Sequence, residues 1–341
     1  VQKPKFAVVG AGIFGQLHAR VFSEHPAIEL ALVCDVREER AQAVAEANAA
    51  GGWCRDYREV MAREEIAAVS VATPDFAHTE IALAAARAGK HVLIEKPMAT
   101  KVEECQQMME AAKAAGVKLM VDFHNRWNPP FYKARETIES GEIGEPRFIY
   151  CRLSDTIYVP TRMLSWAGRT SVLWFLGSHV VDAVCWLLGE RPGRVFGLSR
   201  SGVLEGMGIT TPDVFVYTLE FPSGALVAIE NCWILPETTP NIVDFKCEII
   251  GSRGALYIDF SHARLLERYT ETTATYPDLL VAPMFYGQQA GFAAESLRHF
   301  VECVLEDKPP LVRGEDGLEV TRVLCGVEES IKTGQAVEIK Q

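Results

Sequence analysis

Three glycines, Gly10, Gly12 and Gly15, follow an apolar run from Lys5 to Val9 and open a helix-compatible stretch. That spacing suits a backbone that must hold a diphosphate. Gly10 permits a tight strand-to-helix turn, Gly12 lets the chain approach the pyrophosphate, and Gly15 lets helix and strand pack closely. The helix N-terminus adds free N–H groups and a positive dipole end. Twenty residues past Gly15, a second apolar run, Leu30–Cys34, ends on Asp35. A carboxylate there accepts hydrogen bonds from the adenosine ribose hydroxyls and repels a 2′-phosphate, which favours NAD over NADP. Arg37 and Arg40 leave a competing option, since a nearby arginine can neutralise a phosphate or simply sit solvated at a helix start. Ile13, Phe14, Val36 and Arg40 complete the expected cofactor contacts in these two segments.

Further chemistry-bearing residues lie at strand ends: Thr73-Pro74-Asp75 with His78 beyond it, Glu95-Lys96-Pro97, and His124-Asn125-Arg126. His179 stands in an apolar helical stretch, where a histidine in isolation reads as a satisfied core residue. Asp182 shares its helix face three residues on.

The elements that must position these groups follow from the pattern. Strands are expected at Lys5–Val9, Leu30–Cys34, Ala67–Ala72, His91–Ile94 and Val117–Phe123, alternating with helices at Gly12–His25, Glu38–Ala50, Tyr57–Arg63, Ala77–Ala88 and Lys101–Ala115. Thr100 with Glu103 reads as a capping box and Gly116 as the helix stop. Alternation with continuously apolar strands means an α/β fold, a doubly wound parallel Rossmann sheet covered on both faces. Such sheets bind ligands beyond the carboxyl ends of their strands. After Phe123 the rhythm changes. Helices at Phe131–Ser140 and Val172–Leu188 flank a strand at Arg147–Leu153 and an aromatic-rich loop from Asp155 to Arg169. Strands follow at Arg194–Ser199, Val214–Phe221, Ala225–Trp233, Asp244–Ile250 and Ala255–Asp259, then helices at Ala293–Glu306 and Leu318–Thr333 and a strand at Ala336–Ile339. Tight turn signals between consecutive strands point to a C-terminal α+β domain with a large, mainly antiparallel open sheet. The expected domains are 1–124, binding NAD, and 125–341, binding substrate and making oligomer contacts.

Bulk properties narrow the class. At 341 residues two domains are the default, and 48% apolar with 23% charged content is that of a soluble globular chain. The net charge of −11 excludes the basic footprint that nucleic acid or an anionic membrane needs. No apolar run is long enough for a membrane span, and no charged-then-apolar leader opens the chain. Nine cysteines are scattered without a Cys-x-x-Cys pair, so neither a disulfide framework nor a metal site is expected, and a reducing cytoplasm is.

Taken together, Gly10–Gly15, Thr73-Pro74-Asp75, Glu95-Lys96-Pro97, Asn125-Arg126-Trp127-Asn128-Pro129, Gly141–Pro146 and Gly177-Ser178-His179-Val180-Val181-Asp182 resemble the signature set of the Gfo/Idh/MocA oxidoreductases, in order and spacing. The resemblance implies that Lys96 lies beside the nicotinamide and hydrogen-bonds the substrate oxygen, with a cis Lys96–Pro97 bond, and that His179 is the general base. It places Thr73, Pro74, Glu95, Lys96 and Asn125 against the cofactor; His78, at a helix start near the same edge, reads either as a cofactor contact or as helix-start packing. Arg126 and Asp155, with Lys96 and His179, fall on the substrate, a carbohydrate or cyclitol whose C–H faces stack on aromatic rings. Trp166 and Trp233 are weaker substrate-binding candidates, as are Tyr158, Arg162 and Trp174, and each of these five also reads as structural. One departure is Phe175, where polyol-oxidising relatives carry an aspartate. The implied function is NAD-dependent hydride transfer from a secondary alcohol of a sugar, sugar acid or cyclitol. The alternatives are a redox-neutral epimerase or lyase working through a transient keto-sugar, and a non-catalytic NAD-sensing regulator. A homodimer or homotetramer, paired through the open sheet, is expected.

Overall fold

Residues 3–261 and 265–340 are described by the computed structural model. The chain divides into two units, Val1–Trp127 with Leu280–Leu318, and Asn128–Leu279 with Glu319–Gln341.

In the first unit the alternating pattern builds β1 (Lys5–Val9), α1 (Ile13–Glu24), β2 (Glu29–Cys34), α2 (Glu38–Ala47), β3 (Trp53–Cys54), α3 (Tyr57–Met61), β4 (Ile66–Val71), α4 (His78–Arg87), β5 (His91–Ile94), α5 (Val102–Ala115) and β6 (Leu119–Val121). The strands form one sheet, ordered β3-β2-β1-β4-β5-β6, with every pair parallel. The two-residue β3 is too short to show a periodicity, and the sequence reading omits it. Helix α5 begins at Val102 after Lys101, later than a Thr100 cap requires, and Lys101 Nζ instead pairs with Glu104 at 2.7 Å. Gly116 closes that helix in the left-handed region at φ 66°, as its position suggests.

The expected 1–124 domain leaves residues 280–318 with the second half, yet they pack in the first unit. The reason is aromatic. Phe6 of β1 meets Phe22 of α1 at 5.3 Å and Phe300 at 6.1 Å, both edge-on, and all three rings are fully buried. The helix carrying Phe300, Phe292–Leu305, thus supplies a third ring to the core of this sheet.

The second unit opens with α6 (Pro129–Glu139), β7 (Pro146–Asp155) and α7 (Ser178–Leu188), then β8 (Arg194–Arg200), the short α8 (Val203–Gly206), β9 (Val214–Glu220), β10 (Leu226–Cys232), β11 (Val243–Gly251) and β12 (Ala255–Asp259). With Val337–Glu338 these make a seven-stranded sheet, ordered β12-β11-β7-β10-β9-β8 and then Val337–Glu338. Its pairs are antiparallel except β7–β10, which is parallel. Hairpins link β8, β9 and β10 in sequence, whereas β7 slots between β10 and β11. Period-two burial along β8, β9, β10 and β11 turns one face inward. There Phe131 of α6 sits 5.0 Å from Phe245. The other face is open, with Phe148, Phe196, Leu198, Val216, Leu226 and Ile250 exposed. The expected helix from Val172 to Leu188 is not uniform: Leu173–Gly177 is a π-helical turn ahead of α7. A second π turn, Val159–Met163, lies in the aromatic-rich loop.

Candidate functional site

Parallel strands β2, β1, β4 and β5 are consecutive neighbours, so the residues after their carboxyl ends line one edge about 4.8 Å apart per strand. Those residues are Asp35, Gly10, Thr73 and Glu95-Lys96, which the sequence singles out. The glycines have distinct tasks. Gly10 adopts φ 97°, and a Cβ on it would lie 2.4 Å from the Ala72 carbonyl oxygen. A Cβ on Gly15 would come within 1.7 Å of the Gly10 carbonyl oxygen. Gly12, the residue preceding α1, has an ordinary φ of −71°, and nothing among the described residues lies within 4 Å of its Cβ position. Gly10 and Gly15 are therefore demanded by the fold, whereas the space over Gly12 is open to a ligand at a helix N-terminus.

Asp35 is 9% exposed and ties this turn to β2. Its Oδ2 accepts the Ala11 N–H at 2.8 Å, and its Oδ1 accepts the Arg37 N–H at 2.9 Å. Arg40 Nη1 lies 4.0 Å from Oδ2, so that cation already faces a carboxylate. Ile13 and Val36 are exposed on the same edge, and Phe14 stacks on His124 at 6.1 Å. The Thr73 hydroxyl is buried with no hydrogen-bond partner among the described residues. An open glycine cradle, a carboxylate and an unused hydroxyl on one sheet edge fit a dinucleotide. Substituting Gly12→Val is expected to raise the NAD dissociation constant tenfold or more, about 1.4 kcal/mol, while the melting temperature stays near that of the parent. Gly15→Ala, in contrast, should cost about 4 kcal/mol or more of stability. Calorimetric NAD titration beside thermal unfolding checks the pair.

Lys96 is 6% exposed and its peptide bond to Pro97 is cis. Its backbone N–H donates to Glu95 Oε2 at 3.2 Å. Glu95 Oε1 in turn meets His18 Nε2 at 3.1 Å, and His18 Nδ1 meets the Ser70 hydroxyl at 2.5 Å. Asp122 Oδ2 lies 3.7 Å from the same His18 Nε2, and the Ser296 hydroxyl bonds the Asp122 carboxylate. Burial pushes the Asp122 carboxyl up, but the neighbouring His124 and His18 imidazoles and the Ser296 hydroxyl together outweigh it and hold the group below the usual range. His78, buried at the start of α4, places Nδ1 2.8 Å from the Pro97 carbonyl and Nε2 2.9 Å from the Thr73 carbonyl. Asn125 and Arg126 lie in the short turn after β6, both buried. Arg126 Nη2 pairs with Asp316 Oδ1 at 2.9 Å, a partner 190 residues away that the sequence reading does not identify.

The second unit gathers the other candidates. Asp155, at the end of β7 and 2% exposed, accepts the Trp233 indole N–H at 3.2 Å. Trp233 is fully buried. Phe175 in the π turn lies 5.7 Å from Trp233 and 6.2 Å, edge-on, from Trp166. Between Ser171 and Val184, Phe175 alone reaches past full burial. His179, in the first turn of α7 and 7% exposed, follows it by one turn, and Asp182 follows by another at 1%. Asp155, Trp166, Phe175 and Trp233 thus form one cluster, while Arg126 is engaged within the first unit. His18, Ser70 and Asp122 escape the sequence reading, because a lone histidine in an apolar helix carries no local signal.

Comparison with known proteins gives the same outline. A model of an oxidoreductase family with an NAD-binding Rossmann fold matches residues 4–123, and one of the GFO/IDH/MocA C-terminal domain matches residues 131–257. The chain is 28% identical over 340 residues to the scyllo-inositol 2-dehydrogenase (NAD(+)) of Bacillus subtilis, covering 98% of this chain and 95% of that one. It is 26% identical to the myo-inositol 2-dehydrogenase of Thermotoga maritima, covering 99% of each. Among solved structures, an oxidoreductase domain protein from Kribbella flavida superposes with a TM-score of 0.84 at 28% identity over the full length of both chains.

Proposed function

This chain belongs to the Gfo/Idh/MocA oxidoreductase family, and from that premise we propose that it is an NAD-dependent dehydrogenase oxidising a secondary alcohol of a sugar, sugar acid or cyclitol. The observation that carries the reading is the shared edge of the first sheet, where the open Gly12 cradle, Asp35 and a buried Lys96 follow adjacent strands. Bound NAD supplies the acceptor for the hydride that leaves the carbinol carbon.

The protein's own groups do the rest. The Gly12 cradle and the N–H groups opening α1 hold the pyrophosphate. Asp35 takes the adenosine ribose, and its pairing with Arg40 favours NAD over a 2′-phosphorylated cofactor. Lys96 donates to the substrate oxygen and stabilises the charge that develops there, an interaction strengthened by its burial. His179 accepts the hydroxyl proton during oxidation and returns it during reduction. Asp155 and the half-buried rings of Phe175 and Trp166 offer one polar group beside an apolar wall, which suits a carbohydrate ring with hydroxyls on its edge and C–H bonds on its face. The relatives named as inositol dehydrogenases make cyclitols the first substrates to try.

The open face of the second sheet, with Phe148, Leu226 and Ile250 aligned across β7, β10 and β11, is the surface we assign to a second copy of the chain. Light scattering that returns a monomer mass at micromolar concentration overturns that assignment. Nine cysteines scattered without a Cys-x-x-Cys pair support a reducing, cytoplasmic setting. The experiment that tests the function is NADH formation with myo-inositol, scyllo-inositol, sugars and sugar acids, run with NAD and with NADP. Binding of NAD without turnover of any of these compounds would discard the dehydrogenase reading.

A further inference from the structure

Two buried histidines that take no part in the proposed proton or hydride transfers bear on the backbone around Lys96, one through the Glu95 side chain and one directly at the Pro97 carbonyl. On the amino side, His18 of α1, fully buried, braces Glu95 through Nε2 while Ser70 fixes its other nitrogen. Glu95 uses its remaining oxygen to hold the Lys96 N–H. On the carboxyl side, His78 of α4, 1% exposed, reaches the Pro97 carbonyl through Nδ1 and the Thr73 carbonyl through Nε2. Carbonyl oxygens only accept, so a ring with one proton serves one of these bonds and a ring with two serves both. Imidazoles and a carboxylate this deep in a sheet edge cost desolvation, and apolar side chains of like size would pack there more cheaply. What the polar set adds is a defined backbone path through Glu95, Lys96 and Pro97.

We propose that His18 and His78 are positioning residues for Lys96, acting through Glu95 and through the Pro97 carbonyl respectively. The proposal rests on the role given to Lys96 above. A reacting group displaced by about 1 Å loses about 100-fold in rate, so loosening either grip is expected to lower kcat by that order.

The test uses the geometry of the two ring nitrogens. In asparagine the side-chain amide nitrogen falls near the Nδ1 position, and in glutamine near the Nε2 position. His78→Ala should lose about 100-fold in kcat with myo-inositol and NAD. His78→Asn, which can still donate to Pro97, should recover about tenfold of that loss, and His78→Gln, which reaches towards Thr73 instead, should not. At position 18 the order reverses: His18→Gln, aimed at Glu95, should recover activity lost in His18→Ala, and His18→Asn should not. A second readout needs no substrate. Hydrogen exchange in peptides spanning residues 93–99 of the ligand-free protein should quicken in both alanine variants and slow again only in the matched amide variants. Equal rescue by asparagine and glutamine, or losses that merely track melting temperature, would overturn the proposal. If Lys96→Ala keeps full activity while the exchange pattern holds, the assigned role of Lys96 fails and the two grips remain.

Discussion

Replacing Lys96 with alanine is expected to lower kcat about a thousandfold, with a much smaller change in the dissociation constant for NAD. As an alcohol is oxidised, its oxygen passes through alkoxide character before it becomes a carbonyl, so a cation there is favoured more in the transition state than in the ground state. Removing one such preorganised donor from a water-excluded site typically costs about 2.7–4 kcal/mol, or roughly two to three powers of ten in rate. Lys96 meets the structural conditions: it is 6% exposed, it is the second residue past β5, and its backbone is held by Glu95. Lys96→Met, which keeps the length of the chain and removes the charge, should fall as far as the alanine variant. Lys96→Arg should recover little, because a planar guanidinium does not reproduce a compact ammonium at this position. Single-turnover measurement of NADH formation separates the chemical step from product release. A Lys96→Ala rate within threefold of the parent would remove lysine from the mechanism.

The parts of this site that are legible in the sequence are those written in local pattern. The Gly10–Gly15 turn lies at the junction of a continuously apolar run and a helix, and Asp35 stands where the next strand must end. Lys96 follows a four-residue strand flanked by turn residues. Such features need only near neighbours in the chain, and the structure places each at a strand's carboxyl end. What escaped depends on contacts that are remote in sequence. Arg126 reads as a substrate contact, and its partner Asp316 comes beside it only in the fold; His18 carries no signal until Ser70 and Glu95 close around it. The segment 280–318 follows the second sheet in the chain, yet Phe300 completes a ring cluster in the first unit. The parallel pairing of β7 with β10 is likewise invisible, since both strands alternate as antiparallel ones would.

The π turn at Leu173–Gly177 shows how such a miss reaches the chemistry. Apolar periodicity from Val172 to Leu188 reads as one helix, but a wider turn before Ser178 changes the angular register between Phe175 and His179. Single π turns frequently interrupt helices beside functional groups. Here the turn presents the Phe175 ring to Trp166 and Trp233, with His179 entering regular helix one turn later. A phenylalanine at this point cannot exchange a proton, so the proposed proton transfer is assigned to His179, one turn on.

His179→Asn should therefore lower kcat about 100- to 10,000-fold, the range usual for loss of a positioned general base, and should also change the shape of the pH profile. In the oxidation direction the imidazole must be neutral to accept the hydroxyl proton, so parent activity falls as pH drops and the ring becomes protonated. In the reduction direction the ring must be protonated to deliver that proton, so activity falls as pH rises. The two limbs should mirror each other in the parent enzyme and both should vanish in His179→Asn, leaving in oxidation only a slow rate that climbs with hydroxide. Asp182, buried one turn further along α7, should give a smaller loss when changed to asparagine while keeping both limbs, since the imidazole survives. Initial rates of NADH formation with myo-inositol, and of NADH consumption with the corresponding ketone, measured from pH 5 to 10, decide the matter. Limbs that persist unchanged in His179→Asn would show that another group exchanges the proton.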